Sequence, residues 1–300
     1  MSLLVVGSIA LDTVKTPFGE RADILGGAAS FFSVAASFFT PVRLLGVIGE
    51  DFPECHVDLL RSRGIDLRGL ERRSGGKTFR WSGSYEGRMD VATTRDVKLN
   101  VLGDFKPTVP DAYLDSAFVF LANTDPVTQA HVVRQIPGRK FAMLDTMNLW
   151  IDTKRADLVD ALRLVDGVVM NDEEARSLGG SSNLIFAMNA LSNLGARLIV
   201  VKKGEHGAVM LRNGEFFALP AYPLDAVKDP TGAGDTFAAG FMGHLAATGD
   251  TTWSNLKRAL AYGTVTASFT VEDFSLDRLL AIDRADLDRR LGAFVSMVTW

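Results

Sequence analysis

Short apolar runs alternate along the chain with amphipathic stretches. Leu3–Val6, Val42–Val47, Phe118–Leu121, Phe141–Leu144, Gly167–Met170 and Leu198–Val201 have the length and composition of buried strands. Between them, Asp51–Arg63, Asp125–Gln135, Lys154–Leu164 and Ser182–Leu194 carry the spacing of helices. This alternation predicts an α/β fold, with a mostly parallel central sheet covered by helices on both faces. In such sheets a ligand sits at the carboxyl ends of the strands. Two stretches, 13–25 and 77–101, lack a helical period. The second opens Lys77-Thr-Phe-Arg-Trp-Ser-Gly-Ser-Tyr-Glu-Gly, which alternates and is rich in β-formers. Both are expected to add strands to a small lid beside the strand-end crevice. The plain alternative is a hairpin with no role there.

Composition narrows the function classes. The 300 residues are 47% apolar and 23% charged, which suits a single domain over 1–300 with a large core. A net charge of −4 argues against a nucleic-acid partner. The single cysteine, Cys55, cannot form an internal disulfide, which suits a reducing compartment. His56, His131, His206 and His244 lie far apart, without metal-ligand spacing. Met1–Gly7 lacks the basic start of a signal peptide. The apolar stretch Phe31–Phe39 is interrupted by Ser33 and Ser37 and stopped by Pro41, too soon for a membrane span. A cytoplasmic protein without a membrane partner is expected.

The chemistry concentrates in Asp229-Pro-Thr231-Gly232-Ala233-Gly234-Asp235-Thr-Phe237-Ala-Ala-Gly240-Phe241. Phe237, Phe241 and Leu245 recur every four residues, the mark of a helix with one apolar face. Gly240 and Gly243 allow close packing of that helix. Gly232 and Gly234 permit unusual backbone angles and leave room for a bulky ligand. Free N–H groups and the positive dipole end then form an anion site, with Asp235 beside it. A carboxylate next to an anion hole makes sense if one accepts a proton while the other holds a phosphate. The plain alternative is an Asp cap after a glycine turn.

The whole run closely resembles the carboxyl-terminal signature of the ribokinase-like (PfkB) carbohydrate kinases. The resemblance implies that Gly232, Ala233 and Gly234 stabilise the transferring phosphoryl group and that Asp235 is the base activating an acceptor hydroxyl. It also places Asp229 and Thr231 where many members hold a monovalent cation such as K⁺. Other matches span most of the chain. Gly7-Ser-Ile-Ala-Leu-Asp12 resembles the opening strand, whose last residue, here Asp12, binds substrate hydroxyls. Gly26-Gly27 before a helix resembles the amino-terminal signature, whose glycine backbone faces the substrate. Gly46-Val-Ile-Gly-Glu-Asp51 and Arg63-Gly-Ile-Asp66 follow further family stretches. Asn171-Asp-Glu-Glu174 fits an Asn-x-x-Glu motif that helps place Mg²⁺ and phosphate, with Glu174 acting through water. Lys202-Lys-Gly204-Glu-His-Gly207 occupies the place of a Thr-Leu-Gly-x-x-Gly segment near the ATP phosphates.

Departures fall on the acceptor side. The family pattern is Gly-Gly-x-x-x-Asn, and where its Asn would bind a sugar hydroxyl this chain has Phe31. A ring there predicts an apolar pocket wall, to which Trp81, Tyr85 and Trp150 could add. Alternatively Phe31 turns into the core and a lid residue such as Arg80 binds hydroxyls. Gly76-Lys77-Thr78 imitates the end of a P-loop, but the glycine required five residues before Gly76 is Glu71. Gly7-Ser-Ile9 fails the dinucleotide pattern.

These readings predict a ribokinase-like fold and ATP- and Mg²⁺-dependent phosphoryl transfer to a small sugar. The rivals are a nucleoside or inositol-type polyol kinase, and a non-catalytic sugar- or nucleotide-binding protein on the same fold. Lid strands pairing between subunits would make a homodimer.

Overall fold

A computed structural model describes residues 1–87, 89 and 91–299. The chain opens with β1 (Leu3–Val6) and crosses into β2 (Ala10–Thr16) and β3 (Gly19–Gly26). It returns through α1 (Ala28–Ala36), β4 (Val42–Gly49), α2 (Glu54–Ser62) and β5 (Asp66–Arg73), then crosses again into β6 (Phe79–Tyr85) and β7 (Ala92–Lys98). A regular alternation follows: β8 (Phe118–Leu121), α3 (Pro126–Arg134), β9 (Phe141–Asp145), α4 (Asn148–Thr153), α5 (Arg155–Leu162), β10 (Gly167–Asn171), α6 (Asp172–Gly179), α7 (Leu184–Leu194) and β11 (Leu198–Lys202). The hairpin β12 (Ala208–Arg212) and β13 (Glu215–Leu219) precedes α8 (Ala233–Thr248), α9 (Trp253–Thr270), α10 (Asp277–Leu280) and α11 (Arg284–Val298).

Among the described residues the strands form two sheets. The central one runs β13-β12-β11-β10-β9-β8-β1-β4-β5, parallel except for the terminal hairpin. Its parallel strands are apolar on both faces because both faces are covered. In β1, Leu3 and Val5 join the core beneath α1, α8 and α9, while Leu4 and Val6 join the core beneath α3, α5 and α7. Phe118 and Phe120 divide from Val119 and Leu121 in the same way. Phe120 stacks on Phe32 of α1 with ring centres 4.3 Å apart.

The second sheet, β3-β2-β6-β7, is built from the stretches 13–25 and 77–101 that lacked a helical period. It is braced to the end of β4 in the central sheet. Asp51 accepts hydrogen bonds from the Thr78 backbone N–H and hydroxyl, and Arg80 bridges Asp51 and Asp23. The P-loop look-alike Gly76-Lys77-Thr78 is this brace: it passes over Gly49, leaving no room there for a side chain. Arg80 is thereby committed to two carboxylates.

The expected helices are present with shifted ends. α2 starts at Glu54 because Pro53 is extended and Asp51 is held by Thr78. Lys154 interrupts the 148–162 segment into α4 and α5. β5, the β12–β13 hairpin, α9 and α11 lie outside the expected set.

α8 is sandwiched between the sheet and α9, so it is buried almost all round. A methyl group at Gly240 would come within 2.5 Å of Thr266 Oγ1 and 2.7 Å of the Tyr262 carbonyl oxygen. Gly240→Ala is therefore expected to lower stability by about 1–3 kcal/mol through overpacking. Gly292→Ala, on α11 with open space around it, is expected to be neutral or to gain up to about 1 kcal/mol. Urea unfolding midpoints check both.

Candidate active site

Parallel strands end side by side, which brings their terminal residues together. In register, Asp145 of β9 lies opposite Val169, and Asn171 of β10 lies opposite Lys202 of β11. The start of α8 sits over this row. Gly232, at φ +76°, turns the chain into the helix in a left-handed conformation that favours glycine. The turn leaves the N–H groups of Gly232, Gly234 and Asp235 without a protein acceptor among the described residues. Ala233 differs from the sequence expectation: its N–H donates to the Pro230 carbonyl at 3.1 Å and is already occupied.

Asp12 reaches the same crevice from β2. Its position explains the glycine pair before α1. A Cβ on Gly26 would occupy the place of the Asp12 carboxylate, and Gly27, at φ +89°, donates its N–H to that carboxylate. Asp12 is 4% exposed, yet its Oδ1 has no hydrogen-bond partner. An orphaned buried carboxylate oxygen is costly unless something else binds it. Burial is the largest influence on Asp12 and, with Asp235 and Asp229 nearby, pushes its pKa up to about 7. Asp235 is half-buried at the helix start. Desolvation by the crevice walls and the charge of Asp145 raise it to about 7, against the pull of Lys202.

Asp229 is fully buried, and its two oxygens accept the N–H groups of Thr231 and Ser275 at 2.9 and 3.0 Å. The Thr231 hydroxyl lies 3.4 Å from the Tyr85 hydroxyl of the second sheet. These contacts account for Asp229 and Thr231 as parts of the turn. Among the described residues no cluster of three or more acidic, His or Cys side chains could hold a metal ion.

The remaining predicted residues divide. Asn171 and Glu174 form a reciprocal cap of α6, each accepting the other's backbone N–H, at 2.8 and 2.7 Å. Glu174 is 7% exposed, and burial pushes its carboxyl up to about 7. The Lys202 amine lies 2.8 Å from where a Cβ on Gly234 would stand. Gly204 is exposed, whereas Gly207 is buried and closes a turn against the carbonyl of Leu219. Phe31 is 2% exposed and its ring lies flush against Gly232. It supports the turn from below and presents no free wall. Trp81 covers Gly83 and donates to Thr94, and Trp150 donates to Asn123 at 2.9 Å. Tyr85 instead packs with Val14 and Met89, flanked by Ile24, Trp81 and Val227, and feels the charges of Asp229, Asp12 and Asp235. Sequence reasoning missed Asp145, a buried strand-end carboxylate that accepts a hydrogen bond from Lys202. An acidic residue ending an apolar run was the available signal.

A family model described as "pfkB family carbohydrate kinase" matches residues 12–280. A cytidine kinase of Thermococcus kodakarensis is 30% identical over 250 residues, 81% of this chain and 87% of that protein. The nucleoside kinase of Methanocaldococcus jannaschii superposes with a TM-score of 0.80 at 20% identity, covering 97% of this chain and 98% of that one. The Vibrio cholerae fructokinase with fructose, ADP and calcium bound superposes with a TM-score of 0.81 at 18% identity, covering 97% and 98%. No helix among the described residues is long and apolar enough to cross a membrane.

The raised carboxyls have a consequence for stability. A carboxyl with a folded pKa of about 7 and an unfolded value near 3.8 holds its proton more tightly when folded. Stability is then lost as pH rises from about 4 through about 7. Asp12→Asn and Asp235→Asn are expected to melt above the wild type at pH 8, with the gap closing by pH 4. Thermal melts across that range check the sign.

Proposed function

The chain belongs to the pfkB family of carbohydrate kinases, and on that premise we propose that it transfers the γ-phosphoryl group of ATP to a ribose hydroxyl of a nucleoside. The observation that carries the reading is Asp235, a carboxylate with a raised pKa, standing beside unpaired N–H groups at the start of α8. Asp12, with its unpartnered Oδ1, binds an acceptor hydroxyl. Asp235 takes the proton of the attacking hydroxyl. That oxygen then bonds to the γ-phosphorus as the bond to the bridging oxygen of ADP breaks. The N–H groups of Gly232, Gly234 and Asp235, with the helix dipole behind them, take up the charge on the transferring group. Lys202 adds a positive charge at Gly234. Catalysis here is positioning and electrostatics.

The donor set fits a magnesium ion that keeps most of its waters, because Glu174 spends Oε2 on the Asn171 N–H and has its second carboxylate oxygen to offer a metal-bound water. When bound, the ion would neutralise charge on the nucleotide phosphates, with Glu174 and Asn171 orienting its water shell. Asn171 and Glu174 also keep their structural task as the cap of α6.

The nucleoside is preferred over a bare sugar for two reasons. The similar Thermococcus kodakarensis protein is a cytidine kinase. In addition, Tyr85 of the second sheet, an aromatic ring, reaches the Thr231 hydroxyl and feels the charges of Asp229, Asp12 and Asp235. That sheet then acts as the lid. A simple sugar is the second reading, supported by the family itself.

Two outcomes test this. Asp235→Asn is expected to lose roughly 10²–10⁴-fold in kcat, the usual weight of a general base, while calorimetry shows ATP still bound. Near-normal turnover would contradict the assignment. In acceptor-dependent ADP release, a nucleoside is expected to exceed free ribose in kcat/KM by about tenfold or more, the value of one base-stacking contact.

A further inference from the structure

Lys202 has a place in the crevice that its own strand does not dictate. Its side chain is 17% exposed, and Asp145 on the neighbouring strand but one is 6% exposed. Asp145 Oδ1 accepts the Thr146 N–H at 2.8 Å, which fixes the carboxylate. Its Oδ2 accepts from the Lys202 ammonium at 3.3 Å. Charge-assisted bonds of this kind are usually about 2.7–2.9 Å. The amine is therefore tethered without being drawn fully onto Asp145, and it keeps donors for another acceptor. Glu174 and Asp235 also act on the amine electrostatically. Glu174 is tied into the cap of α6 and Asp235 stands at the start of α8, so Asp145 is the hydrogen-bonded anchor.

Gly234 supplies an independent observation. Unlike Gly232, it does not have a positive φ, so its backbone conformation does not call for glycine. What it lacks is a Cβ, and that atom would stand 2.8 Å from the Lys202 amine. The glycine keeps space for the amine directly beside an unpaired backbone N–H.

We propose that Asp145 is a positioning residue that holds the Lys202 ammonium over Gly234, where the amine selects a nucleoside triphosphate over a diphosphate by contacting the γ-phosphate. The inference rests on the proposed place of the transferring phosphoryl group at the start of α8. ADP has no group to put there, so the contact is made by ATP alone. The Thr146 hydroxyl, buried and without a partner beside Asp145, is a further donor at the same strand end.

The test is calorimetric and needs no acceptor. Affinities of the Mg²⁺ complexes of ATP and ADP are measured for the wild type, Asp145→Asn, Lys202→Met and the double variant. Thermal melts confirm that each is folded. Asp145→Asn is expected to weaken ATP by about tenfold or more, the scale of one charged hydrogen bond, with ADP changed less than about twofold. The double variant is expected to match Lys202→Met, because Asp145 acts through the amine. Equal weakening of ATP and ADP, or additive losses in the double variant, would overturn the proposal. If Asp145→Asn does not fold, Asp145→Ser takes its place in the same comparison, and unchanged ATP-over-ADP selection overturns the proposal. A wild type that binds neither nucleotide sinks the kinase reading itself.

Discussion

Crowded negative charge at the start of α8 is the constraint around which the molecule is arranged. Burial raises the cost of ionising both Asp12 and Asp235, and the charges of Asp235 and Asp229 add to it at Asp12, that of Asp145 at Asp235. The fold offsets that cost with local donors. Gly27 gives Asp12 a backbone N–H, the α8 dipole faces Asp235, and Lys202 brings a positive charge from β11. Asp229 is satisfied by two backbone donors and so becomes the pin of the turn. Beside that turn, Asp12 Oδ1 and a set of N–H groups have no protein partner among the described residues. These are an acceptor for a hydroxyl and donors for an anion.

Glycines make this crowding sterically feasible, each in its own way. Gly26 yields its Cβ position to a carboxylate, Gly234 yields its own to an amine, and Gly232 allows a left-handed turn that rests on the Phe31 ring. A side chain at any of these places would displace a charged group or the turn itself. The second sheet borders the same turn. It is fastened to the central sheet through Asp51, Thr78 and Arg80, and it touches the α8 turn through Tyr85 and Thr231.

The central strands were legible because burial on both faces writes itself as a continuous apolar run. The glycine-rich helix start was equally plain, since helix periodicity resumes at Phe237 right after it. Other features depend on partners distant in sequence. Asp145 reads as an ordinary strand end until Lys202, 57 residues later, is brought beside it by strand order. Phe31 reads as a pocket wall because its position is known only relative to α1, whereas the Gly232 turn that covers it arrives 201 residues further on. Arg80 looked available for hydroxyls because its two carboxylate partners lie on other elements. The β12–β13 hairpin carries short apolar runs, Ala208–Leu211 and Phe216–Leu219, too brief for periodicity alone to tell from other apolar segments.

The central claim is geometric: the transferring phosphoryl group sits at the start of α8, next to Asp235. A crystal structure with ADP, Mg²⁺ and aluminium fluoride, a planar mimic of that group, tests it most directly. The account predicts the fluoride mimic within about 2.7–3.1 Å of backbone N–H groups in the Gly232–Asp235 turn, with the Asp235 carboxylate on the face opposite ADP and the Lys202 amine at its edge. A mimic bound elsewhere in the strand-end crevice, with the α8 turn empty and Asp235 facing no ligand, would contradict it.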